Sequence, residues 1–147
     1  MRKFSFRLDR LLNYRKYLEK QAQKNLFHAR HEALKREEAL KQLVEERIET
    51  QKKYHEETSE GIDVSWYRIY QSFFRKSDHD LAMAHIRLQK GTERVKVKRA
   101  DLEKKTVKKK TLEVLKEMQY RRYLHHLGEQ EQKIMDELAV TGRKRKV

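Results

Sequence analysis

Seven histidines are the side chains whose type could bind a metal or carry a proton near neutral pH. His28 and His31 stand three residues apart, and His125 and His126 are adjacent. Neither pair comes with carboxylates at a recognised zinc-ligand spacing, so all are read as solvated polar-face residues. There is no cysteine, which excludes thiolate nucleophiles, thiolate metal sites and disulfides. No glycine-rich phosphate loop of the GxxxxGK[ST] kind occurs, so nucleotide hydrolysis by that route is not expected. Paired carboxylates are plentiful, but catalysis needs a pocket that excludes water. The elements below do not build one. No enzymatic activity, cofactor, metal or small-molecule substrate is expected.

Those elements follow from composition. Of 147 residues, 41% are charged and only 37% hydrophobic, with no proline and four glycines. A compact globule carries about 25% charged and nearly half apolar residues, so no thick core can form. A narrow seam between long helices can. From Phe6 to Tyr54 the apolar residues Leu8, Leu11, Leu18, Ala22, Leu26, Ala29, Ala33, Leu40, Leu43 and Ile48 fall mostly at steps of three, four or seven. That spacing is one stripe of a helix. A break follows at 58–63, where Gly61 can adopt the left-handed conformation that ends a helix. Asp63 is placed to cap the next one.

The second stripe opens with Trp66, Tyr70 and Phe73, with Phe74 also beside the turn, and runs through Leu81, Ala84, Leu88, Val95 and Leu102. It resumes at Leu112, Leu115, Met118, Leu127, Ile134 and Leu138. Gly91 and the thinly apolar stretch 94–110 mark places where this helix could bend or fray. The expected fold is all-α: a two-helix antiparallel coiled coil in a single domain. Helix one covers about 5–57, helix two about 64–140, and a basic tail 141–147. A short connection forces neighbouring helices antiparallel. At 1.5 Å per residue helix two is the longer, roughly 115 Å against 75–80 Å. Folding about residue 61 brings Leu8 near position 114 and leaves about Gln119 to Ala139 without an intramolecular partner. Leu127, Ile134 and Leu138 would then form a docking face; a longer helix one, or self-association, would cover them instead.

The net charge is +14, which favours acidic partners without naming them. The run Lys104 to Lys110 could touch phosphates, but no aromatics interleave with it to stack bases. Specific nucleic-acid binding is therefore the lesser alternative. No apolar run approaches the roughly 18 residues of a membrane span. The basic start lacks an apolar signal core, so the cytoplasm is expected.

Both ends resemble one family. The opening Phe4-Ser-Phe6-Arg-Leu8-Asp-Arg-Leu11-Leu12-Asn-Tyr-Arg15, with Glu19 and Ala22, is similar to the N-terminus of the FliJ family. The closing Glu129-Gln-Glu131-Gln132-Lys133-Ile-Met-Asp136-Glu137-Leu-Ala139 resembles that family's Glu-Gln-Lys-x-x-Asp-Glu-x-Ala segment. The resemblance implies a non-enzymatic stalk of flagellar protein export, similar to the central shaft of rotary ATPases. Its implied partners are the hexameric export ATPase, the cytoplasmic domain of the export-gate membrane protein, and export chaperones that it escorts. It would sit peripherally at the cytoplasmic face of the inner membrane. With Leu127, Ile134 and Leu138 of the docking face, the residues expected to bind partners are Phe6, Leu8, Arg15, Gln130, Gln132, Lys133 and Asp136, which lie in the matching end segments. The equivalent stalk of a virulence type III secretion system is the nearest alternative.

Overall fold

The computed structural model describes residues 3–144, with side chains up to 142. It holds two helices, α1 (Asp9–Glu60) and α2 (Val64–Lys144), and no strand among the described residues. The expected end of the basic tail, 145–147, lies outside them. α2 is continuous through Gly91 and through 94–110; neither place breaks it.

The connection follows the expected chemistry in a tighter form. Gly61 has φ of 91°, and its amide donates to Thr58 O at 3.3 Å. The hydroxyls of Thr58 and Ser59 donate back to the carbonyls of Tyr54 and Glu56, local side-chain bonds to the backbone of the last turns. Asp63 accepts from the Val64 amide at 2.9 Å and from the Ser65 hydroxyl at 2.8 Å. α1 starts later than expected, at Asp9 rather than about residue 5. The Asp9 amide donates back to Phe6 O at 3.1 Å, so residues 3–8 form a turn-ended strap. The acidic Asp9 suits the positive end of the new helix.

The chain divides into two compact units: residues 1–20 with 104–147, and residues 21–103. In the 21–103 unit, α1 and α2 run antiparallel. Arg36 donates to Arg87 O at 2.8 Å, Arg47 to Phe74 O at 3.3 Å, and Tyr54 packs on Tyr70 with ring centroids 5.2 Å apart. Every such pair mirrors about residue 62. The core residues are Ala22, Leu26, Ala29 and Ala84, with Ala33, Leu40, Leu43, Leu81, Leu88 and Val95 half-buried beside them. Their steps alternate three and four, the 3.5-residue repeat of a coiled-coil seam. Gly91 is buried in that seam. A Cβ there would stand 3.2 Å from Arg36 Cδ and 3.5 Å from Ala33 Cα. Glycine therefore allows close helix approach and room for the Arg36 stem.

The same alternation corrects the expected stripe. Leu11 and Ile48 are 38% and 48% exposed, and Trp66 is 57% exposed. All three fall off the repeat. Their places in the seam are taken by residues that an apolar stripe omits: Arg15, Glu19, Arg36, Arg47, Thr50 and Tyr54 are buried or half-buried. Long charged side chains bury their stems and keep their heads in water.

Candidate partner-binding surface

The unit of residues 1–20 with 104–147 is also antiparallel, but its seam is held largely by charge. Glu19 is buried, and Lys109 Nζ lies 3.0 Å from each of its carboxylate oxygens. Glu113 stands 4.0 Å from the same ammonium. Lys116 Nζ meets Asp9 Oδ1 at 2.7 Å and sits 5.8 Å from the centre of the Phe6 ring. Leu12, 2% exposed, is the best-buried side chain. The strap then closes the seam: Phe4 packs edge-on against Tyr120 at 5.1 Å and tilted against Tyr123 at 5.7 Å.

Asp9 facing Lys116 puts Leu8 level with position 117, about three residues beyond the expected 114. The unpaired part of α2 is shorter accordingly. It begins after Tyr123, because Phe4 covers Tyr120 and Tyr123, where Gln119 was expected. From Glu129 to Gly142 every side chain is exposed.

Three marked residues, Phe6, Leu8 and Arg15, lie in the paired seam, Phe6 buried and the other two half-buried. Phe6 is thus engaged within the chain, under Lys116. The remaining marked residues are on the unpaired segment. Leu127 is half-buried, whereas Ile134 and Leu138 are 56% and 62% exposed. Tyr120 and Leu124, 44% and 45% exposed, extend the same row. The steps 120, 124, 127, 131, 134 and 138 again alternate four and three, with Glu131 the polar member. Tyr120 and Leu124 were absent from the expected surface, although this spacing would have found them.

The row does not continue the α1-facing seam. Beyond Tyr123 that seam would run through His126, Gln130, Lys133 and Glu137, all polar, so the apolar character steps to a neighbouring face after the last α1 contact. Gln130, hydrogen-bonded to His126 at 3.1 Å, flanks the row. Gln132 and Asp136, one turn apart, share a different face. Lys133 lies between Gln130 and Asp136, three residues from each, and off the apolar row. The marked polar residues are therefore not gathered with the apolar ones.

The histidine pair gains a carboxylate that the sequence reading passed over. Glu129 lies 3.4 Å from His125 Nδ1 and 3.6 Å from His126 Nδ1. All three are exposed, and no group of three or more His, Cys, Asp or Glu among the described residues could hold a metal. No helix of the described residues is long and apolar enough to cross a membrane.

A family model described as Flagellar FliJ protein matches residues 4–146. No curated protein and no solved structure matches this chain.

Proposed function

The chain belongs to the FliJ family and is a component of flagellar protein export, and from that premise we propose that it is the stalk of the export ATPase ring. Its task is mechanical: it enters the hexamer, assists assembly and turnover, and leaves the chemistry to its partner. Contact with the cytoplasmic domain of the export gate, and escort of emptied export chaperones, belong to the same reading. That role places it peripherally at the inner membrane.

One observation carries the reading. Beyond the last α1 contact, α2 extends as a helix whose apolar row, Leu124, Ile134 and Leu138, is open to solvent. An amphipathic helix with a bare apolar row is the form that docks into a groove on another protein. The ion-paired seam behind it gives the extension a fixed base. A shaft requires both properties.

The test is turnover of the export ATPase from the same cell, with and without the purified chain. The chain raises the rate, and changing Gln132, Lys133 and Asp136 together to alanine lowers that stimulation while helicity by circular dichroism stays intact. An intact chain that leaves the ATPase rate unchanged would contradict the proposal.

A further inference from the structure

We propose that the end of α2, from Tyr120, which Phe4 covers on one side, to Leu138, pairs antiparallel with the same segment of a second copy of this chain. The inference goes beyond the stalk reading and does not depend on it.

The first support is the row itself. Tyr120, Leu124, Leu127, Ile134 and Leu138 keep coiled-coil spacing over nearly three heptads without a facing helix in their own chain. Such a row fits another helix better than it fits water.

Charge chooses the occupant and its direction. The segment opens basic, with Arg121 and Arg122 beside His125 and His126. It ends acidic, with Glu129, Glu131, Asp136 and Glu137 against a single Lys133. A parallel second copy would lay basic on basic, acidic on acidic, and Glu131 on Glu131. An antiparallel copy lays each basic stretch along the acidic stretch of the other, and complementary fields of this kind select a partner and its orientation.

One register satisfies both requirements. Tyr120 then faces Leu138 of the second copy, Leu124 faces its Ile134, and the reciprocal rungs follow by symmetry. Leu127 lies beside Glu131 at the centre, where one polar member fixes register. The register centres on Glu129.

The sequence has no cysteine, so single cysteines report pairing without interference. All variants are made in the full-length chain and oxidised mildly. Leu124→Cys mixed with Ile134→Cys cross-links about tenfold more than either variant alone, as expected when contact raises local thiol concentration far above bulk. The double change Arg121→Glu with Arg122→Glu weakens self-association in sedimentation about tenfold, and an Asp136→Arg, Glu137→Arg partner restores it. Cross-linking of 124 to 124 and 134 to 134 in preference to 124 with 134 would overturn the proposal. So would yields no greater than those of a cysteine at Lys35, remote in sequence. The apolar row is the one an ATPase would need, so the self-paired and ATPase-bound states exclude each other. Cross-linking of the isolated chain and stimulation of the ATPase can each fail alone.

Discussion

In residues 21–103 the two helices meet mainly through alanine, leucine and glycine, with Arg36, Arg47 and Tyr54 among them; in residues 1–20 with 104–147 buried Leu12 and Phe6 are joined by the ion pairs Glu19–Lys109 and Asp9–Lys116. Both units keep the same alternation of three and four. Coiled-coil geometry fixes where a side chain must point, and leaves open whether oil or charge fills the position. The apolar seam gains from burial, about 1.5–3 kcal/mol for each well-buried large side chain. The charged seam gains less net energy, because desolvation offsets attraction. What it adds is register, since Lys109 finds its carboxylate partners only in one alignment.

Truncating an apolar contact should have the largest effect. Leu26→Ala in the first unit and Leu12→Ala in the second should each cost about 2–5 kcal/mol, read from urea unfolding. A loss below about 1 kcal/mol at Leu26 would break the contrast by showing that its seam is loosely packed. Next comes Glu19→Ala. Its side chain is 12% exposed and that of Lys109 19% exposed, so removing the carboxylate strands a nearly buried ammonium. Glu113 offers partial compensation at 4.0 Å. The expected cost is about 2–3 kcal/mol, below the 3–5 of a fully buried pair. Glu19→Leu with Lys109→Leu should be neutral or stabilising by about 1–4 kcal/mol. That variant makes one seam resemble the other.

Gly91→Ala sharpens the comparison from the apolar side. Alanine gains about 1 kcal/mol of helix propensity. Against this, the new Cβ meets Arg36 Cδ at 3.2 Å, so the Arg36 stem must shift by a few tenths of an ångström, which strains its bond to Arg87 O. The net change should stay within about 1 kcal/mol, whereas Gly91→Leu, with no room beside Ala33, should unfold the unit at markedly lower urea.

The smallest effects are at the aromatic end near the turn. Tyr70 donates to Glu57 Oε2 at 2.8 Å. That hydrogen bond, with smaller contributions from desolvation and the Glu57 charge, raises its pKa above the ordinary 10.0. A raised phenol favours its neutral form in the folded chain. Its contribution is complete below the ordinary value and is lost as pH rises through the folded one. Phenolate absorbance should therefore show one tyrosine titrating late, and Glu57→Gln should return it towards the others.

Much of this architecture was legible in the sequence. Absence of proline, the stripes, Gly61 and Asp63 fixed two helices and one turn, because these are local and periodic properties. The seam's exact membership was less legible, since a search for apolar residues admits Leu11 and Ile48 and omits Glu19 and Arg36. Only the facing helix shows that a charged stem is covered. The strap was hidden for a related reason: Phe6 reads as the start of a helix until Lys116 is seen over its ring and Tyr120 against Phe4. Of the apolar row, spacing gave Leu127, Ile134 and Leu138 and left out Tyr120 and Leu124, which stand at the same steps of three and four.

Hydrogen exchange on the full chain, alone and with its export ATPase, tests the stalk reading most directly. Amides from Leu124 to Gly142 should exchange fast in the free chain at low concentration and slow on addition of the ATPase. Protection confined to residues 21–103, with that extension exchanging unchanged, would contradict it.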